Sequence, residues 1–256
     1  VSGARRAIAA VVAAAVALPA AAYLLTIPAI LRRVADRRSS QALASMEVAG
    51  TLQAAGAAGD ALLAAGGIRG AGGLAALPAR LLIKVPGRCR LELLPAGAAE
   101  AERPWLLVRD DAVSGTGELA GDPAFVALLR TACSLLAVPA NAEDKDQPWA
   151  AALAKRGVPL KNVSLGRFDG RIAWIIGGHA NGNTPLAWFD KESFQPVRLQ
   201  YAEGKLPADV GLLGWGSPTG GDWAPRALEV HSGGVLRVRF TTEKATANPR
   251  LPDAVF

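Results

Sequence analysis

The sequence predicts a mainly β protein with a few helices, an α+β domain built on an antiparallel sheet, and three observations carry this. Short segments alternate apolar and polar residues with a period of two, as strands with one dry face do. Asp-Gly and Asn-Gly pairs stand between such segments at hairpin spacing, where positive φ at both central residues favours these types. A long apolar segment within the domain opens on Asp122-Pro123, an N-cap followed by proline at the first helical position.

The elements follow in chain order. Residues 1–26 are set apart, because the stretch from Ala7 to Leu31 has no charged residue and Arg5-Arg6 precede it, as in an export signal. Two fates fit this composition. The segment is a signal peptide cleaved near Ala20-Ala21-Ala22, or a retained membrane anchor, since about 20 apolar residues cross a bilayer core. Residues 27–256 form the domain proper, long enough to bury one sizeable core.

Pro28 opens a helix through about Ser45, with Ile27, Ile30, Leu31 and Val34 as its apolar stripe and Arg32, Arg33, Asp36, Arg37 and Arg38 on its wet side. Residues 46–53 alternate and form the first strand. Residues 54–77 are almost entirely Ala, Gly and Leu, without a period, and read as a loosely specified insertion. Beyond it Leu81, Ile83 and Val85 alternate with Arg80, Leu82 and Lys84, and Pro86-Gly87 turns the chain. Cys89, Leu91 and Leu93 then share one face, with Arg88, Arg90 and Glu92 on the other. Trp105 to Arg109 is a further strand, placed with Trp105 and Leu107 inward, and Asp110-Asp111 is its turn.

The helix opened by Asp122 runs to about Val138. Phe125, Val126, Leu128, Leu129, Leu135 and Leu136 cover more than one of its sides, so it needs a sheet or a ligand around it. A polar loop from Asn141 to Gln147 and a short helix near Trp149 to Lys155 follow. The remainder reads as a β-meander, with strands at 162–168, 172–177, 186–189 and 194–201 and turns at Asp169-Gly170, Asn181-Gly182-Asn183 and Asp190-Lys191-Glu192. After a looser stretch at 202–223, a last hairpin about Gly233-Gly234 sets Leu236, Val238 and Phe240 against Arg237 and Arg239.

Composition and spacing exclude several kinds of chemistry. The chain of 256 residues is 51% hydrophobic and 20% charged, with a formal net charge of +6. Its basic residues are scattered rather than gathered with aromatics, so no nucleic-acid groove is expected. Only His179 and His231 are present, and the two cysteines, Cys89 and Cys133, do not supply a metal-ligand set. No Gly-x-Ser-x-Gly elbow or phosphate loop occurs. Asp110 and Asp111 are adjacent, so on a strand they point to opposite faces and cannot flank one bond. The expectation is a protein with no catalytic residues, no metal and no cofactor. The cysteines read as buried free thiols packing as small hydrophobes; the alternative is a disulfide closing a 45-residue loop, worth about 4 kcal/mol from loop-closure entropy. Neither lies where a lipoprotein presents its acylated thiol.

The run Lys84-Val85-Pro86-Gly87-Arg88-Cys89-Arg90, the strand end Trp188-Phe189-Asp190 followed by Phe194-Gln195-Pro196-Val197-Arg198-Leu199, and the closing Pro252-Asp253-Ala254-Val255-Phe256 resemble the LolA-like family of outer-membrane lipoprotein-sorting proteins. The resemblance spans roughly 28–256, apart from 54–77. It implies a strongly curved antiparallel sheet, an incomplete barrel closed by a helical lid, with acyl chains of a lipoprotein or lipid in the apolar space between. It also implies a monomer in the periplasm that receives cargo from an inner-membrane transporter and passes it to an outer-membrane acceptor. On that template Leu81, Ile83, Val85, Cys89, Leu91, Trp105, Leu107, Ile172, Trp174, Ile176, Trp188, Leu236 and Val238 line the interior, and Leu128, Leu129, Leu135 and Leu136 face them from the lid. The chain departs from the family at two positions: the arginine before the proline, which helps hold the lid, is Val85, and the phenylalanine three residues after the proline is Cys89. If the leading segment is retained, the alternative is a module of the same fold on the inner membrane, a binding or sensor protein acting through protein contacts.

Overall fold

The computed structural model describes residues 24–67, 75–140, 142–178 and 184–256. Within them, twelve strands form one antiparallel sheet: β1 (Ser45–Ala54), β2 (Ala75–Lys84), β3 (Arg88–Leu93), β4 (Trp105–Arg109), β5 (Ala112–Gly115), β6 (Val163–Phe168), β7 (Arg171–Ile176), β8 (Leu186–Asp190), β9 (Pro196–Glu203), β10 (Leu206–Leu213), β11 (Ala227–Ser232) and β12 (Val235–Ala247). Their order is β5-β4-β3-β2-β1-β12-β11-β10-β9-β8-β7-β6. The first and last strands meet at the centre, while β5 and β6 are the two edges and do not pair. The sheet is therefore open. Five helices accompany it: α1 (Ile27–Ser39), α2 (Ala57–Ala65), α3 (Gly117–Gly121), α4 (Pro123–Leu136) and α5 (Gln147–Lys155).

Local chemistry sets most boundaries. Thr26 caps α1 by accepting from the Ala29 amide, and Asp122 caps α4 by accepting from the Ala124 amide at 2.8 Å. Tight hairpins turn at Asp110-Asp111, Asp169-Gly170 and Gly233-Gly234, each with positive φ at both residues. At the sheet's centre the β1–β12 register shifts between Ala49 and Gly50, leaving Glu243 of β12 as a bulged residue. A Cβ on Gly50 would lie 2.1 Å from the Thr241 carbonyl oxygen, so only glycine lets β1 and β12 close there. Such bulges bend a sheet.

How far this sheet curls is measured by a single side chain. Arg130 of α4 donates to Glu203 at the end of β9 and to the Asp111 carbonyl, at 3.1 Å, in the β4–β5 turn. In a flat sheet β4 and β9, seven steps apart in the order, would be about 34 Å apart at ~4.8 Å per step. One guanidinium spans both, so the sheet wraps around α4 as a half-barrel.

Three expectations need correction. The run at 54–77 is not loosely specified where it is described: β1 extends to Ala54, α2 occupies 57–65 with Leu62 fully buried, and β2 begins at Ala75. Alanine favours helix even without an amphipathic period, and packing on β1 and β2 supplies the rest; residues 68–74 lie outside the described set. The stretch after 201 is also not loose, since Glu203 and Leu206 pair across the two-residue turn Gly204-Lys205 and β10 follows to Leu213. Arg38 is not on a wet face, being 6% exposed. The loop residue Asn141, the turn at 181–183, His179 and the leading residues 1–23 fall outside the described residues.

The closing segment is fastened to the outer face of β2 and β3. Lys84 donates to the Leu251 carbonyl (2.9 Å) and to Asp253 (2.8 Å), Arg90 donates to the Val255 carbonyl (2.8 Å), and Phe256 is buried. Lys84 first, and then Arg88, hold the Asp253 carboxyl below the ordinary carboxylate range.

Candidate functional site

The interior of the half-barrel is occupied by α4. Eleven of its 14 residues are buried, because it packs against β3 and β4 on one side and β9 to β12 on the other. A helix apolar on several sides is stable in water only when enclosed in this way. Polar contacts then hold it at a few points. At its C-terminal end, where the last carbonyls have no partner within the helix, Arg38 of α1 donates to the Leu136 carbonyl at 2.8 Å, and the Gly87 amide of the β2–β3 turn donates to the Ala137 carbonyl at 3.0 Å. Burial lowers the pKa of Arg38 to about 10; the same guanidinium also donates to the Trp223 carbonyl and to Gln41.

The second group of fastenings bridges the two arms of the sheet. Arg130 pairs with Glu203, the Tyr201 hydroxyl has its one proton between two acceptors, Glu203 (3.3 Å) and the Ala127 carbonyl (3.2 Å), and Arg156, just after α5, pairs with Asp111 and lies 5.7 Å from the Tyr201 ring centre. Burial raises the Tyr201 pKa, so the phenol keeps the one proton that these two acceptors share.

Beside the C-terminal half of α4 lies a cavity of about 190 Å3, walled by Cys133, Ala137 and Val138 of that helix region, by Val108, and by Ala151 and Ala152 of α5, with Asp110, Asp111 and Lys155 also lining it. It is smaller than the ~300–1,000 Å3 of sites that enclose a drug-sized ligand. Among the described residues no group of three or more His, Cys, Asp or Glu side chains is placed to hold a metal ion. No helix among them is long and apolar enough to cross a membrane.

The residues assigned to the interior divide in two. Leu81, Ile83, Cys89, Leu91, Leu128, Leu129, Leu135, Leu136, Trp174, Ile176 and Val238 all join the main buried cluster. Six do not line it. Val85 is in the turn rather than the strand. Trp105 and Leu107 are only half-buried, because Leu91 and Cys89 pair with Leu106 and Val108, which take the inner positions. Trp105 instead packs under Arg90 on the outer face, 4.7 Å from the guanidinium to the ring centre. Ile172 is 40% exposed at the start of β7. Trp188 pairs with Ile175 and belongs to a separate outer cluster with Ala173 and Leu186, while Ala187 and Phe189 face inward. Leu236 is turned outward by a bulge, since Val230 pairs with Val238 and His231 with Leu236, leaving Arg237 as an extra residue that inverts the phase.

Sequence reasoning missed Arg38, Arg130, Arg156 and Tyr201, the residues that fasten α4 and bridge the arms. Each is part of a locally ordinary run, and only the closure of the sheet brings them together. One signal was available: Arg38 falls one residue after Arg37 on a 3.6-residue period, which turns it about 100° toward the apolar stripe.

Fold and interior together define an open antiparallel half-barrel wrapped around a buried helix. Solved structures of similar arrangement include a LolA superfamily protein from Nitrosomonas europaea, with a TM-score of 0.46 and 12% identity over 91% of this chain and 98% of that one. A DUF1329 family protein from Desulfovibrio piger aligns with a TM-score of 0.43 and 11% identity over 91% of this chain and 98% of that one. The MucA/MucB complex from Pseudomonas aeruginosa gives a TM-score of 0.28 and 13% identity, over 90% of this chain and 59% of the matched one. No protein-family profile and no curated protein sequence matches the chain.

Proposed function

We propose that the protein is a carrier that takes up acyl chains of a lipoprotein or lipid between the curved sheet and α4, binding by burial of apolar area and performing no chemistry on its cargo. The observation that carries this reading is the position of α4, an apolar helix with 11 of 14 residues buried inside a sheet that is open between β5 and β6. Such a helix is an internal plug. If it lifts, the apolar surface it leaves on the sheet can be re-covered by hydrocarbon, so packing against the cargo offsets the packing that the helix gives up. A C16 chain supplies on the order of 12 kcal/mol before ordering costs. The cavity of about 190 Å3 marks where displacement would begin, between α4 and α5. Arg38 and Gly87, which hold the last carbonyls of α4, are the polar contacts to be released there.

Tight binding by area alone requires a donor and an acceptor. The reading therefore includes handover from an inner-membrane transporter to an outer-membrane acceptor, in a periplasm reached through the leading segment. The test is native mass spectrometry of protein purified without detergent, followed by titration with a dansyl-labelled fatty acid and an acylated peptide. Co-purified acylated species, or saturable uptake of either probe, is the expected result. A protein that carries none and takes up neither probe overturns the reading. Arg38→Met is expected to speed probe uptake several-fold by freeing the end of α4, with little change in the affinity for hydrocarbon.

A further inference from the structure

Cys89 and Cys133 meet across the contact between β3 and α4. Cys89 projects inward from β3 in phase with Leu91 and Leu93, and its cross-strand partner Val108 lines the cavity beside α4. Cys133, on α4, lines the same cavity. Both thiols are free and belong to the same buried cluster; burial first, and then the neighbouring Cys133 thiol, push the Cys89 pKa well up. Cys133 is 6% exposed and Cys89 is 0% exposed, so a reagent entering by the cavity meets Cys133 first.

We propose that Cys89 and Cys133 are a dithiol–disulfide pair whose oxidation fastens α4 to β3 and closes the interior. The oxidant is a disulfide of a small thiol or of a thiol oxidoreductase. The Cys133 thiolate attacks one sulfur of the oxidant and expels the first thiolate, leaving a mixed disulfide on Cys133. Cys89 then loses its proton and attacks the Cys133 sulfur, expelling the second thiolate. Two protein thiols become one disulfide, the oxidant's disulfide becomes two thiols, and the two protons released by the cysteines are taken up by the departing thiolates. Bonding at about 2.05 Å ties the helix to β3, the strand against which it packs. The new tie sits at the same end of α4 as the Arg38 and Gly87 contacts, so the part of the helix bordering the cavity can no longer lift. The consequence for cargo rests on the acyl-carrier reading, whereas the crosslink does not.

The experiment uses the whole domain, reduced and then equilibrated in buffers of reduced and oxidised glutathione, and read by intact mass and by amide hydrogen exchange. The expected product is lighter by two hydrogens and carries no glutathione. Its amides in the C-terminal half of α4 exchange about tenfold more slowly than in the reduced protein. Cys89→Ala should stop at a single glutathione adduct on Cys133, and Cys133→Ala should remain unmodified while folded. A native protein that stays at the reduced mass, or that ends with an adduct on each cysteine, overturns the pairing. Equal α4 exchange in both forms overturns the closure. Uptake of the dansyl fatty acid is measured in parallel: reduced protein that binds none fails the carrier reading while mass and exchange still judge the disulfide, and oxidised protein that binds as well as reduced protein overturns the closure.

Discussion

The β2–β3 hairpin and the β7–β8 pair belong to the same sheet and obey opposite rules. In β2 and β3 the inner positions are Leu81, Ile83, Cys89, Leu91 and Leu93, and the outer face carries Arg80, Arg88, Arg90 and Glu92. In β7 and β8 both faces are dry: Trp174, Ile176, Ala187 and Phe189 join the main core, where Phe189 meets Trp149 of α5, while Ala173, Ile175, Leu186 and Trp188 form a second cluster outside, covered by Phe168 and Val197. The difference teaches that a sheet with one charged face announces its inner residues by alternation, whereas one apolar on both faces does not.

The sharpest test substitutes the two neighbouring aromatics of β8. Phe189→Ala removes a fully buried ring that meets Trp149 edge-on at 6.1 Å, and is expected to cost about 3–5 kcal/mol in urea unfolding. Trp188→Ala opens a cluster of four buried residues at the sheet's outer surface, where neighbours can close in and water can enter. Its expected cost is about 2–3 kcal/mol, with faster hydrogen exchange confined to β6 through β8. Equal costs, or a global rise in exchange for Trp188→Ala, would mean that the outer cluster is part of the main core and that the contrast is false.

This contrast also explains what could be read from the sequence. The strand register around Pro86-Gly87, the capped helix at Asp122, and the turns at Asp169-Gly170 and Gly233-Gly234 follow from local rules, because period, cap chemistry and positive φ are properties of a few adjacent residues. Trp188 could not be placed, since Leu186 to Phe189 is apolar at every position and either phase satisfies alternation. Trp105 and Leu107 failed for the same reason, as Trp105 to Val108 is apolar throughout and pairing with β3 decides the face. Leu236 was lost to a bulge, which changes the phase without changing composition. The Arg130–Glu203 and Arg156–Asp111 pairs are illegible for a deeper reason: they depend on how far the sheet curls, and curvature accumulates over seven strand steps.

Charge on the outer face gives a smaller effect with a defined pH dependence. Burial alone would raise the pKa of Glu229, but hydrogen bonds from His231 and Arg239 outweigh it and hold the carboxyl below its ordinary value. A lowered folded pKa contributes stability that is complete above the unfolded value of about 4.3 and is lost as pH falls through the folded one. The native protein should therefore lose about 1 kcal/mol or less from this group as pH drops from about 4.5 to 3. Glu229→Gln should show a flatter profile over that range, while Trp188→Ala should keep the native slope. If Glu229→Gln follows the native slope, charge on the outer face of β11 and β12 does not contribute to stability.

The smallest expected effect sets the limit of the dry region. Ile172 and Trp174 share a strand phase in β7, so alternation assigns them the same surroundings, yet Ile172 is 40% exposed and Trp174 is buried. Ile172 stands beside the Asp169-Gly170 turn, at the end of the hairpin and outside the main buried cluster. Removing its apolar end forfeits little burial, and Ile172→Thr should change stability by no more than about 0.5 kcal/mol, measured by urea unfolding with the native protein in parallel. A cost above about 1.5 kcal/mol would place Ile172 under cover that its exposure denies, and the core would then extend to the end of the hairpin. A neutral result fixes the boundary between Ile172 and Trp174, so that position along the strand, and not phase alone, decides which apolar residues of this sheet enclose the interior.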